Sequence, residues 1–166
     1  GDPEWDAVTV FVSPQGPSGL PPGDYRSGRF DVPFRFTLPE GWTSFFPERS
    51  DALTLATRDG DTSVEFHLFR GRSPLGTLGL FNRGKLNVSA AAEIPGGYAV
   101  FLSPSEPTTL FSDPLDGDYI VQPGTQVWLR VVDVHGTVVT IIQQAQDSDG
   151  LFETRPIIFG LVWQDN

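Results

Sequence analysis

Cysteine and methionine are both absent from the 166-residue chain. Without a thiol there is no disulfide, no zinc–thiolate site and no cysteine nucleophile. Histidine is limited to His67 and His135, far apart in sequence, so no metal site and no cofactor is expected. No Gly-x-Ser-x-Gly segment occurs, which removes the recognisable nucleophile elbow of a hydrolase triad, and no catalytic residue is assigned. Positive charge is scarce as well: 11 basic residues face 21 acidic ones, for a formal net charge of −10. A field of that sign repels phosphate backbones and excludes nucleic acid as an expected partner. No apolar run approaches the ~18 residues that cross a bilayer as a helix, so no transmembrane segment is expected. Gly1 stands where an initiator methionine would, which predicts a processed or trimmed chain.

What the chain has in quantity is glycine and proline, 18 and 15 residues, about a fifth of the total. Both weaken helix interiors, so short strands joined by turns are expected. Thirteen Phe and four Trp supply the bulk of a core for one domain. Charge is unevenly spread. From Ser89 onward ten acidic residues face two basic ones, Arg130 and Arg155, whereas residues 66–92 hold no acid but carry Arg70, Arg72, Arg83 and Lys85.

Residues 7–12 form a β-branched run that reads as a strand, followed by a Pro/Gly-rich segment over 13–23. Residues 25–30 and 34–38 read as two more strands, the second placing Phe34, Phe36 and Leu38 on one face. It ends in Pro39-Glu40-Gly41, a type I turn signal. Residues 52–57 and 63–69 predict a hairpin around the Asp59-Gly60 turn. A second hairpin is expected from 77–81 and 86–90. Residues 98–102 fit helix or strand equally, and 103–124 read as a loop rich in Pro, Ser and Asp. The clearest hairpin joins 126–134 to 137–143 through His135-Gly136. Asp147-Ser148-Asp149 predicts the cap of one helical turn through Glu153, and 157–163 a buried strand.

Gly79 to Lys85 matches most of a phosphate-binding loop, but Leu86 stands where a Ser or Thr hydroxyl should hold Mg²⁺, and the flanks look extended. The Arg70, Arg72, Arg83 and Lys85 group is the candidate ligand site, because clustered cations hold carboxylate or phosphate, with Phe69 and Phe81 flanking. The bland alternative is that these side chains solvate turns or pair with the acidic half. Glu65 and His67 share a strand face and form the one candidate acid–base pair, whereas His135 serves its turn. Asp147-Ser148-Asp149-Gly150 resembles part of a calcium loop whose last ligand position falls on Pro156, and Asp113, Asp116 and Asp118 are further loop carboxylates; capping and turns explain both sets. Asn87-Val88-Ser89 fits a glycosylation acceptor.

Two segments, Gly23-Asp24-Tyr25-Arg26-Ser27 and Phe34 to Trp42, together with Val131 to Val139, Phe152 and Ile157 to Trp163, resemble exported bacterial lipoprotein-type domains of the PsbP-like group. The resemblance covers about 50 residues at the two ends. It implies an antiparallel sheet with a few helices, an extracytoplasmic location (secreted or attached to the cell envelope) and a binding or assembly role, with no catalytic residues to carry over.

The expectation is therefore a strand-rich α+β domain, an antiparallel sheet with few short helices, with an all-β sandwich as the alternative. Residues 1–22 form a strand plus a Pro/Gly-rich segment, and 23–166 the single domain. The leading function is an exported, non-enzymatic binding or interaction module for a protein or small-molecule ligand, with a possible lipid anchor on the precursor. The alternatives are a glycan-directed hydrolase using paired carboxylates and a structural accessory domain of a larger surface protein.

Overall fold

The structure, a computed structural model, describes residues 3–13, 20–69, 71–81, 91–113 and 117–165. A short helix α1 (Pro3–Asp6) leads into strands β1 (Thr9–Val10), β2 (Gly23–Arg26), β3 (Phe34–Leu38), β4 (Trp42–Thr43), β5 (Ala52–Thr57) and β6 (Ser63–Leu68). Helix α2 (Pro74–Leu78) precedes β7 (Ala92–Ile94), β8 (Gly97–Leu102), β9 (Thr108–Asp113), β10 (Gly117–Val121), β11 (Gln126–Val134) and β12 (Thr137–Ala145). Helices α3 (Ser148–Glu153) and α4 (Arg155–Phe159) and strand β13 (Val162–Trp163) close the chain. The strand-rich, largely antiparallel class expected from composition is what is found.

The centre is a seven-stranded antiparallel sheet in the order β4-β5-β6-β12-β11-β8-β7. Its spine is the β11–β12 hairpin, paired without a break from Gln126↔Ala145 to Val134↔Thr137. His135 and Gly136 take positive φ values of 51° and 89°, as a two-residue hairpin turn requires. At the β5–β6 turn, Gly60 likewise adopts φ 78°. A four-stranded sheet, β1-β2-β3-β13, is antiparallel except for the parallel β1–β2 pair.

Alternation along β11 and β12 gives the central sheet two apolar faces, each with its own core. On one face Phe66, Leu68, Val139 and Ile141 meet Phe34, Phe36 and Leu38 of β3, with Phe34 and Phe66 rings 4.5 Å apart. On the opposite face Val127, Leu129, Val131 and Ile142 are covered by Leu78 and Phe81, and by Leu110 and Val121 of the β9–β10 hairpin. Glu48, only 5% exposed, fastens the loop between β2 and β3, accepting from the backbone N–H groups of Gly28 (3.2 Å), Arg29 and Phe30 (2.6 Å).

Five expectations for elements are corrected. The strand expected over 25–30 runs only to Arg26, because residues 28–30 turn their N–H groups to Glu48. Residues 77–81, expected as a hairpin arm, instead hold the end of helix 74–78 and a turn, because Ser73 caps the helix, accepting from Gly76 N–H, and Pro74 is tolerated in the first turn. The other arm of that expected hairpin, 86–90, lies outside the described residues. The span 103–124 is not a loop but carries the β9–β10 hairpin, whose Leu110 and Val121 are buried. Residues 155–159 are helical, leaving strand only at Val162–Trp163, because Ile157 alone needs burial on that turn while Phe159 faces solvent. The first strand shrinks to Thr9–Val10, although Phe11 beside it joins the core. The 98–102 segment resolves to strand, and Asp147 caps α3 as expected, accepting from Gly150 N–H at 2.7 Å.

Candidate functional site

Two clefts flank the central sheet, one on each face. The first is built on the face of β11 that carries Gln126, Trp128 and Arg130. Register places Trp128 between Phe101 of β8 and Gln143 of β12, so all three project from the same side. The four-stranded sheet covers the neighbouring end of this face, α3 packs over β11 and β12, and α4 packs between α3 and β3. Between them lies a cleft of about 400 Å³ whose walls include Phe101, Trp128, Arg130, Phe152, Arg155 and Phe159.

Its polar floor is a hydrogen-bonded relay. Arg130 Nε donates to Gln143 Oε1 at 2.6 Å, Gln143 Nε2 donates to Thr154 Oγ1 at 2.7 Å, and Thr154 Oγ1 donates to Leu151 O at 2.6 Å. Gln143 and Thr154 are both buried, which ties the arginine's position to the α3–α4 junction. The Arg130 guanidinium lies 5.6 Å from the centre of the Trp128 ring. Burial pulls its pKa below the ordinary value, yet an arginine so placed remains a cation near neutral pH. Arg155 sits 5.0 Å from the centres of both Phe152 and Phe159, one turn before and one after it. These two rings are 62% and 72% exposed, and Phe101 48%. Among the described residues neither guanidinium is ion-paired with a carboxylate.

The second cleft, about 610 Å³, lies on the opposite face between β5–β6 and the β9–β10 hairpin. Glu65 and His67, two residues apart on β6, project into it as the strand alternation predicts. His67 Nε2 is 3.2 Å from Glu65 Oε1, and the Tyr119 hydroxyl donates to Glu65 Oε2. Gln144 Oε1 lies 3.0 Å from the same hydroxyl. Phe111 stacks on Tyr119 at 4.9 Å and meets the His67 ring edge-on at 5.4 Å. Burial first, then the Glu65 charge and hydrogen bond, raise the Tyr119 hydroxyl well above its ordinary pKa, so it stays a donor. Asp118 lines this cleft too, accepting from Ser112 Oγ at 2.6 Å.

Of the cationic group expected to bind an anion, Arg70, Arg83 and Lys85 lie outside the described residues. Arg72 is exposed just before α2. Phe81, expected to flank a ligand there, is instead fully buried and packs edge-on against Phe69 at 5.5 Å. Gly79 follows helix α2, whereas a phosphate-binding loop needs a strand in that place. The side chain of Asp113, along with Asp116 and the segment 87–89, also lies outside the described residues. His135, beyond its turn, reaches Gln164 O at 3.1 Å.

The Arg130/Arg155 cleft is absent from the sequence-based site residues. One signal for it was available: these are the two basic residues of the acidic half, and the structure brings both to one cleft.

No protein-family model and no curated protein matches the chain. A solved structure from Bacteroides thetaiotaomicron VPI-5482 is similar over 80% of this chain and 46% of its own, at 13% identity and a TM-score of 0.47. The chain thus spans under half the length of that protein.

Proposed function

We propose that this domain is a non-enzymatic binding module that takes an anionic ligand, an oxyanion carried on a ring or flat apolar body, in the Arg130/Arg155 cleft. One observation carries the reading: the two arginines of an otherwise acidic half line a single aromatic cleft, and among the described residues no carboxylate is ion-paired with either. Arg130 is half-buried, and a partly desolvated guanidinium without an anion is a liability that a carboxylate or phosphate relieves by bidentate hydrogen bonding. The exposed Arg155 stands at the mouth to meet the same anion. The exposed rings of Phe101, Phe152 and Phe159, with the half-buried Trp128, line the space for the ligand's body, and an aromatic cleft with a few convergent polar groups suits a small molecule. An extracytoplasmic location belongs to the same proposal and rests on the PsbP-like resemblance of the two ends.

The test is a thermal-shift panel of benzoate, glucuronate and phosphate against the neutral controls benzyl alcohol and glucose. A ligand at a hundred times its Kd stabilises by about 2.7 kcal/mol, roughly 5–10 °C for a domain of this size. Benzoate or glucuronate should raise Tm, and Arg130→Gln or Arg155→Gln should abolish the shift. The Arg70→Ala/Arg83→Ala double variant should keep it. Loss of the shift in that double variant alone would move the site to the basic stretch. No response to any anion would leave the structural accessory reading in place.

A further inference from the structure

We infer that the second cleft, on the opposite face of the central sheet, is a separate site for a small organic cation, an ammonium group on an apolar body. Its chemistry is complementary to the first. Glu65 stands at the centre of it, with a side chain only 14% exposed and each carboxylate oxygen already oriented: Oε2 by the Tyr119 hydroxyl, Oε1 by His67 Nε2. A carboxylate has about four lone-pair sites, so those two contacts fix its direction without exhausting its capacity to accept. An ammonium donor with its own apolar substituents is the group that uses what remains.

The walls agree. Phe111 and Tyr119 form a stacked pair, and Phe46, 63% exposed, stands at the rim. Ring faces attract a cation within about 6 Å of their centres, and more strongly where water is displaced. Asp118 adds a second carboxylate to the lining. The arginine of the lining, Arg49, is ion-paired with Asp51 at 3.0 Å and so carries its own counter-charge. A volume of about 610 Å³ has room for a ring-sized ligand. The net charge of −10 favours the approach of cations over the whole surface. An anion would meet Glu65 and Asp118 head-on, and a neutral apolar ligand would leave the oriented carboxylate without a new partner.

The probe is benzylammonium, with benzyl alcohol as its neutral counterpart and benzoate as its anionic one, titrated by calorimetry. Wild-type protein should bind benzylammonium about tenfold or more tightly than benzyl alcohol, a difference of ~1.4 kcal/mol. Glu65→Gln should remove that preference while keeping the fold, seen by circular dichroism. Should Glu65→Gln fail to fold, Asp118→Asn and Phe46→Ala, both at exposed positions, should each weaken benzylammonium binding measurably. Arg155→Gln should leave it unchanged, which separates this site from the anion cleft. Equal binding of benzylammonium and benzyl alcohol would overturn the inference. So would no binding at all, or undiminished binding in the folded Glu65→Gln variant or in both rim variants.

Discussion

Tyr119 shows how much one side chain's chemistry depends on partners that sequence separates. Its hydroxyl meets Glu65, 54 residues away, and burial together with that carboxylate lifts its pKa well above 10.0. The sign of the consequence follows from linkage. In the unfolded chain the phenol ionises near its ordinary value, whereas the native state keeps the proton to higher pH. The Tyr119 contribution to stability is therefore intact below about pH 10 and is lost as pH rises through the raised native value. Urea titrations from about pH 9.5 to about pH 11 should show a midpoint that falls with pH in the wild type and falls less in Tyr119→Phe. An identical slope in the two proteins would contradict the Tyr119–Glu65 contact. Strand alternation alone made the Glu65–His67 pair legible, since period 2 puts both on one face. It could not reveal Tyr119 or Phe111, because their approach depends on how a second hairpin lies across the sheet.

Elements were legible where local chemistry and tertiary burial agree. Asp59-Gly60 and His135-Gly136 announce their hairpins because each needs a positive φ that the turn residues supply. Asp147 announces α3 in the same way through its cap. Where burial is decided by a distant layer, local reading fails. The apolar run after Arg155 is short enough to be strand or helix, and packing against β3 selects helix. The Pro-rich look of 103–124 hides a hairpin whose Leu110 and Val121 fill the second core. Close approach of strands also leaves a mark at single positions. At Gly97 of β8 an added Cβ would fall 1.8 Å from the carbonyl oxygen of Val131 on β11. Backbone must shift to relieve that overlap, so Gly97→Ala should cost about 2 kcal/mol or more in chemical denaturation. A loss within about 0.5 kcal/mol, the range of ordinary surface changes, would refute so tight a β8–β11 approach.

At the scale of the whole molecule, one sheet separates two clefts of opposite chemistry, an arginine–aromatic cleft and a glutamate–aromatic one. The sequence shows the charge asymmetry between the chain's halves but not that its two isolated arginines share one cleft. Density of basic residues draws attention to 70–85, most of whose cations lie outside the described residues; Arg130 and Arg155, sparse in sequence, are brought to one cleft by the β12–α3–α4 return. Isolation from acid on the folded surface, rather than frequency in the sequence, is what leaves a cation available to a ligand. The central claim, that this cleft holds an oxyanion on an apolar body, is tested most directly by two-dimensional ¹H–¹⁵N NMR during titration with benzoate. Saturable shifts should appear at the Trp128 indole N–H, the Nε–H groups of Arg130 and Arg155 and the Gln143 side-chain amide. They should leave Tyr119 and Glu65 undisturbed and vanish in Arg155→Gln. Shifts confined to residues 69–72 and 81–85, or no saturable shift anywhere, would contradict it.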